Sequence, residues 1–377
     1  MRVLLITTSY PMSRNGSEAA GSFVEDFTHE LLSQGVSIAV VFPVMELQKI
    51  DAEKELTLFP FKVPSIPLST LSIKKPSDWL SIGKTLHAGD VAVARTIDEF
   101  KPDFIFSLWA LPSGYWAYRY QLKTSTPYGI WALGSDIWTL GKIPFIKNVL
   151  GKVLKASSIN FADGHQLAHD VEMLSGGTCS FLPSTRKLSG SGRMPVREDP
   201  PYRLTFIGRW HPNKGIDILL DALLQMDELS WTRIESVVVA GGGPLKDVVK
   251  HKICHLKQLN RPIIFKGFVD KDDAVKILSE TDYLLIPSRI ESIPVIFSDA
   301  MQTGCPVVAT PVGDLPKIVE QFYCGVVADD VSVDAYKIAL ASALTRSAAD
   351  YNEGVSNAAK QFSLDVIGRT FIDSISG

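Results

Sequence analysis

Phe206-Ile-Gly-Arg-Trp-His-Pro-Asn-Lys-Gly-Ile-Asp217 decides the fold of this chain, because it reads as a strand, a loop and a helix start in immediate succession. The apolar run Leu204–Gly208 has strand length, Arg209 and Lys214 lie in the loop, and a helix begins near Gly215. Two cations beside the free backbone N–H groups of a helix start make a place for phosphate. Two solvated surface cations have the same spacing, and the spacing alone does not choose between them.

The same strand–helix alternation runs outward in both directions. Towards the C-terminus, Ser236–Ala240, Ile263–Phe265, Tyr283–Ile286 and Pro306–Thr310 read as strands separated by helical patterns. Towards the N-terminus, Val3–Thr7, Val36–Phe42, Phe104–Ser107 and Tyr128–Leu133 read as buried strands, with amphipathic segments Ser22–Gln34, Ala88–Phe100 and Gln166–Leu174 between several of them. Continuous apolar strands alternating with helices predict parallel sheets covered on both faces. Between the two series, Leu188-Ser-Gly-Ser-Gly-Arg-Met-Pro and Glu198-Asp-Pro-Pro-Tyr202 form a linker-like stretch. The expected architecture is α/β: two doubly wound domains with their βα loops aimed at a cleft. We divide the chain into 1–190 (joined by a C-terminal helix, about 362–377), a linker 191–202 and a second domain 203–361.

Bulk composition agrees. The chain has 377 residues, 46% apolar and 21% charged, enough for two buried sheets. A net charge of −3 gives no reason to expect nucleic acid as a partner. Four scattered cysteines with no C-x-x-C pair argue against a disulfide framework and for a reducing compartment. The apolar run after Met1-Arg2 is too short for a signal peptide, and no run reaches bilayer-spanning length. The expectation is a cytoplasmic protein.

Two further constellations lie at strand ends. Val239-Ala-Gly-Gly-Gly-Pro-Leu245 is a glycine turn that lets a ligand approach the backbone, although many such turns use glycine for geometry alone. It is not G-x-G-x-x-G, so a nicotinamide dinucleotide site is not expected. In Pro287-Ser-Arg-Ile-Glu-Ser-Ile-Pro-Val-Ile-Phe-Ser-Asp299, Glu291 follows a strand, Ser292 is placed to cap the next helix and Pro294 suits its first turn. The N–H groups near Val295 and Ile296 then face an anion, and Asp299 stands eight residues after Glu291, about two turns along.

Taken in order, these motifs closely resemble the retaining glycosyltransferases of family 4, the glycosyl transferases group 1, which have the GT-B fold of two Rossmann-like domains facing a central cleft. The resemblance covers nearly the whole chain and is strongest from Leu204 to Val327. It includes G-R-x4-K-G at Gly208–Gly215, G-x-G-P at Gly241–Pro244, Phe265-Lys-Gly-Phe268, the E-x7-E-like block at Glu291, Gly304-Cys-Pro-Val-Val-Ala-Thr and Val312-Gly-Asp-Leu-Pro316. It implies that Arg209 and Lys214 neutralise a donor diphosphate, Glu291 holds donor-sugar hydroxyls, and the amides of Val295 and Ile296 bind phosphate or sugar. Asp299 would meet the ribose, Phe268 and Val269 would flank the base, and Gly208, Gly242 and Gly243 would line the site. Gly21, opening the first long helix, looks like the family's glycine loop.

The sequence also departs from the family. The second acid is Asp299 rather than Glu, and Lys317 stands where Glu is usual. Phe106 and Leu108 replace histidines in Phe104-Ile-Phe-Ser-Leu-Trp-Ala-Leu-Pro-Ser-Gly114, and Leu133 replaces the histidine of an H-G-S-D-I block that keeps Asp136. Asp136 is either functional or a helix cap.

The resemblance implies transfer of a sugar from a nucleotide-diphosphate sugar to a saccharide or lipid-linked saccharide hydroxyl, with retention and without a metal or other cofactor. Bacterial surface polysaccharide or lipopolysaccharide synthesis is the implied setting. His251, Cys254 and His255 have zinc-like spacing but no further ligands in view. From Ile137 to Ala162 there is no acidic residue, and lysines alternate with apolar residues over 138–155. That segment reads as a helix for an anionic membrane, at the inner face of the plasma membrane, or as an ordinary half-buried helix. The competing classes are a GT-B epimerase or hydrolase, a non-catalytic nucleotide-sugar-binding protein, and an inverting transferase with Asp136 as base.

Overall fold

The computed structural model describes residues 1–11, 21–47, 55–68, 71–188 and 193–376. They divide into two compact units: the chain up to Pro183 together with its last helix, and Ser184–Ser363.

In the first unit the order is β1 (Arg2–Ile6), α1 (Ser22–Ser33), β2 (Ser37–Val44), β3 (Leu56–Lys62), α2 (Trp79–Phe100), β4 (Phe104–Leu108), α3 (Ser113–Thr124), β5 (Tyr128–Ala132), α4 (Ser135–Trp138), α5 (Pro144–Ala156), β6 (Ile159–Ala162), α6 (His165–Ser175) and β7 (Ser180–Phe181). Among the described residues the seven strands form one parallel sheet, β3-β2-β1-β4-β5-β6-β7. Alternate residues of each strand enter opposite cores. Leu4, Ile6, Val41, Ile105 and Ile130 join one with Val93 of α2, Trp116 of α3 and Leu150 of α5. Val3, Leu5, Val40, Phe106 and Trp131 join the other with Phe27 of α1.

The second unit runs β8 (Tyr202–Arg209), α7 (Ile216–Leu224), α8 (Glu228–Thr232), β9 (Ile234–Gly242), α9 (Lys246–Gln258), β10 (Ile263–Phe265), α10 (Lys271–Ser279), β11 (Tyr283–Ile286), α11 (Val295–Gln302), β12 (Val307–Ala309), α12 (Leu315–Phe322), β13 (Gly325–Val327), α13 (Val333–Ala343) and α14 (Asn352–Gln361). Its described strands form a parallel sheet, β10-β9-β8-β11-β12-β13. In each sheet the strand order reverses beside the first strand, at β1/β4 and at β8/β11. Those switch points are where open α/β sheets bind ligands.

The last helix, α15 (Leu364–Ser376), belongs to the first unit. Its Phe371 ring lies 4.3 Å from that of Phe106 and 5.4 Å from that of Phe27. The interior of the 191–202 stretch is fastened to the second unit where it is described; residues 189–192 lie outside the described residues. Arg193 donates to the carbonyls of Leu278, Thr281 and Thr303, at or near the ends of α10 and α11. Arg197 N donates to buried Asp282, which is also gripped by the Arg203 guanidinium at 2.7 and 2.9 Å.

Four strands arise outside the apolar runs of the sequence: β3, β6, β7 and β13. β3, β7 and β13 lie at sheet edges. There Pro60 is tolerated inside β3, and a two-residue β7 suffices.

Candidate functional site

The loops after β8, β9, β11 and β12 build one wall in the second unit. After Arg209 the chain makes a short 3₁₀ turn, Pro212–Lys214, and leaves it at Gly215 with φ +64°. A Cβ at Gly215 would lie 1.7 Å from the Pro287 carbonyl oxygen. Only glycine therefore lets this loop rest on the one after β11. Arg289 stitches the two together. Its N donates to Asn213 O at 2.7 Å, and its guanidinium to Pro212 O and to both oxygens of Asp217 at 2.8 and 2.6 Å. Sequence reasoning gives Arg289 no such role, since its partners lie more than seventy residues away.

That contact brings two of the expected site residues together. Lys214 Nζ is ion-paired with Glu291 Oε1, and Ser288 Oγ lies 3.4 Å from the same oxygen. Arg209 is exposed at the end of β8, in register with Gly242. His211 lies between the two cations in sequence, and its Nδ1 accepts from Asn213 N at 3.2 Å. Its pKa is lowered, first by burial and then by Arg209 and Lys214. The imidazole is therefore neutral at pH 7, and the positive charge of the loop belongs to Arg209 and Lys214.

The glycine turn is shaped by close approach. Gly241 has φ +137°, and a Cβ there would lie 1.9 Å from Gly208 O. At Gly242 a Cβ would fall 2.5 Å from the ring of Phe268, which lies over the turn and is exposed. Trp210 is buried, stacked on Phe265 at 5.4 Å, and exchanges backbone bonds with Gly242 O and Leu245 N. Gly242 thus pairs with Arg209 and packs against Phe268, Gly243 packs on Trp210, Gly208 lies beside Gly241, and half-buried Val269 follows Phe268 in the chain.

Two expectations for the β11–α11 segment need correction. Helix α11 starts at Val295 with Pro294 as its cap residue, and no side chain caps it. Ser292 is instead buried, its Oγ without a hydrogen-bond partner. The reason lies in the next loop: Gly313 and Asp314 pack on Ser292, whose carbonyl accepts from Asp314 N at 3.2 Å, and draw it away from the helix end. Phe297 N already donates to Pro294 O, so Val295 and Ile296 present the first helical amides, and both residues are half-buried. The second correction concerns Asp299, which is fully buried with both carboxylate oxygens taken by Arg186. Sequence reasoning passes over Arg186, 113 positions away; the shortened acid at 299 is the one hint that something else fills the space.

In the first unit the corresponding loops follow β1, β4 and β5. Gly21 precedes α1, and a Cβ there would meet Ser9 Oγ and Tyr10 N at 3.0 Å. Phe106 and Leu108, where the family has histidines, are fully buried in the core that receives Phe371. Leu133 packs on the same core. Asp136 is buried, and its carboxylate accepts from Ala110 N at 2.6 Å and Leu133 N at 3.3 Å. Desolvation raises its pKa to about 6, against the pull of those amides. It holds the β4 loop, in which Trp109 adopts φ +68°, rarely occupied by a bulky residue. Asp136 therefore fastens two strand-end loops rather than facing solvent as a base.

With two sheets of this order, and cations, glycines and a carboxylate at the switch point of the second, the architecture is that of GT-B glycosyltransferases. Residues 201–346 match the family model described as Glycosyl transferases group 1. The chain is 25% identical over 342 residues to TuaC of Bacillus subtilis, a glycosyltransferase named for teichuronic acid biosynthesis, covering 84% of this chain and 83% of the relative. It is 24% identical to the GDP-mannose-dependent alpha-(1-6)-phosphatidylinositol monomannoside mannosyltransferase of Mycobacterium tuberculosis, covering 91% and 89%. The solved structure of Anabaena Alr3699/HepE in complex with UDP aligns over 100% of both chains with a TM-score of 0.72 and 15% identity. Together these support a transferase enzyme, a GT-B glycosyltransferase.

Proposed function

We propose that this protein transfers a sugar from a nucleotide-diphosphate sugar to an acceptor hydroxyl with retention at the anomeric carbon. The observation that carries the reading is the Lys214–Glu291 pair, set by Gly215 and Arg289 beside the first amides of α11. A cation for phosphate and a carboxylate for sugar hydroxyls then stand side by side, the pairing a sugar diphosphate presents. The UDP held by the Anabaena neighbour is a ligand of that class.

In the proposed reaction the bond from the anomeric carbon to the diphosphate breaks as the acceptor oxygen bonds to the same face. The acceptor proton passes to the departing phosphate oxygen. Arg209 and Lys214 stabilise the charge that develops there, in the place a metal would take. Asp136 serves by position: its oxygens are engaged by Ala110 and Leu133, which favours this route over an inverting one with Asp136 as base.

The first unit is proposed to take the acceptor, a saccharide or lipid-linked saccharide, as the names of the Bacillus and Mycobacterium relatives suggest. No helix among the described residues is long and apolar enough to cross a membrane. Contact with the inner face of an anionic membrane through α5 is proposed instead, because Phe145 is 78% exposed among exposed Lys142, Lys147, Lys152 and Lys155.

The test is thermal shift with UDP-, GDP- and ADP-sugars. A ligand at about 100 times its dissociation constant stabilises by about 2.7 kcal/mol. The Arg209→Ala/Lys214→Ala double variant is expected to lose the shift. Normal binding by that variant would place the donor elsewhere.

A further inference from the structure

Exposed apolar side chains of the first unit gather at one edge of its sheet. Met45 and Leu47 follow β2, Ile66 follows β3, and Ile73, Trp79 and Leu80 surround the start of α2; all six are exposed. The strands are parallel, so these positions share the carboxyl edge. Trp79 is 60% exposed and Leu80 69%, and Trp79 is the one exposed tryptophan among the described residues. Single apolar residues are ordinary on a surface; a group of them marks an interaction.

The segment that carries the group is held in shape. Ser72 N donates to Asp78 Oδ2 at 2.9 Å, Lys75 N to Ser72 O at 2.9 Å and Asp78 N to Lys75 O at 3.0 Å, which folds residues 72–78 back on themselves. Trp79 Nε1 donates to Ile73 O at 2.7 Å. The indole N–H is thus satisfied within the chain, and moving the ring out of water strands no donor. Lys74, Lys75 and Lys84 stand exposed around it, and between Ser72 and Lys84 the sequence has a single acid, Asp78. Both Asp78 oxygens are engaged, by Ser72 N and Ser77 Oγ. Glu46, next to Leu47, offsets one of the lysines.

We propose that Ile73, Trp79 and Leu80 form an insertion element that enters the headgroup layer of an anionic bilayer, while Lys74, Lys75 and Lys84 meet its phosphates. Tryptophan suits that depth, and lysine stems reach from it towards water. Helices α2, α3 and α5 pack on one face of the sheet, and α2 and α5 both start at its carboxyl edge. Phe145, in the first turn of α5, therefore stands at the same edge as Trp79. The inference builds on the membrane contact proposed through α5 and is independent of the donor reading. It adds what charge alone lacks, an apolar hold that survives salt.

The full chain is mixed with vesicles of phosphatidylcholine and phosphatidylglycerol whose acyl chains are brominated, and tryptophan quenching is read on the bound protein. The native chain is expected to lose emission on binding, and Trp79→Phe to show little of that loss. Sedimentation with unbrominated vesicles is then compared in low salt and in about 0.5 M NaCl, where charge contacts are largely screened. Native binding is expected to persist in salt. Ile73→Ser with Leu80→Ser, both at exposed positions, is expected to lower it there about tenfold, the worth of withdrawing apolar side chains from lipid. Lys147→Glu with Lys152→Glu is expected to weaken binding in low salt and to keep the quenching. If that variant binds like the native chain, the α5 contact fails and the insertion element stands. Native binding without quenching overturns the proposal, as does equal quenching in Trp79→Phe or salt-resistant binding that the serine variant leaves unchanged. A native chain that does not bind the vesicles overturns it too. So does a lipid-free dimer in light scattering that the serine variant dissociates, which would make the patch a contact between copies.

Discussion

One buried carboxylate, Asp136, ties together two strand-end loops of the first unit, and its titration can be read. Asp136 has its pKa raised to about 6 by desolvation, whereas an unfolded aspartate titrates near 3.9. The folded chain therefore binds this proton more tightly than the unfolded one. The stability it contributes is fully present below about pH 4 and is lost as pH rises to about 6. Asp136→Asn cannot ionise. Relative to that variant, the native protein is expected to lose on the order of 3 kcal/mol between those two values. Melting curves of both proteins across pH 3.5–7 check this, other groups cancelling in the difference. Parallel profiles would mean that the amides of Ala110 and Leu133 cancel desolvation, and a native protein that gains stability over Asp136→Asn as pH rises would mean that they outweigh it.

Helices show what a sequence pattern can and cannot reveal. Helix α2 extends well before the expected Ala88 because its buried stripe is Thr85, Gly89, Val93, Thr96 and Ile97, largely small or polar residues. No apolar period announces such a face; Gly89 is there because the Trp116 ring occupies the space of a Cβ. The cations and glycines at Gly208–Gly215 are legible because they follow one another within a single loop. The Lys214–Glu291, Arg289–Asp217 and Arg186–Asp299 pairs join distant loops, and only the fold supplies them. Helix α5 was legible as amphipathic, and its buried face is Ile146, Leu150, Val153 and Leu154. Its outer face carries the membrane proposal. Lys147→Glu with Lys152→Glu is expected to lower sedimentation with phosphatidylglycerol vesicles at least about tenfold, each lysine near such a surface being worth about 1 kcal/mol. Equal sedimentation of both proteins would leave α5 as an ordinary half-buried helix.

At the scale of the molecule, the described residues of the second unit fall within Ser184–Ser363, between the body of the first unit and its last helix. The fragment 184–363 is expected to fold alone and to keep the nucleotide-dependent thermal shift. Phe371→Ala, which empties the space among Phe27, Phe106 and Phe161, is expected to cost the first unit about 3–5 kcal/mol and to leave that shift unchanged. Loss of nucleotide binding by Phe371→Ala, or an insoluble fragment, would contradict this independence. The return of α15 also sets a timetable for synthesis. Phe371 leaves the ribosome roughly 190 residues after Pro183, about 10–40 s later at ordinary elongation rates. Throughout that interval the nascent first unit shows the bare aromatic face of Phe27, Phe106 and Phe161, while the later-made second unit can already be complete. The apolar surface that waits longest for its cover during synthesis is therefore on the half of this protein that is translated first.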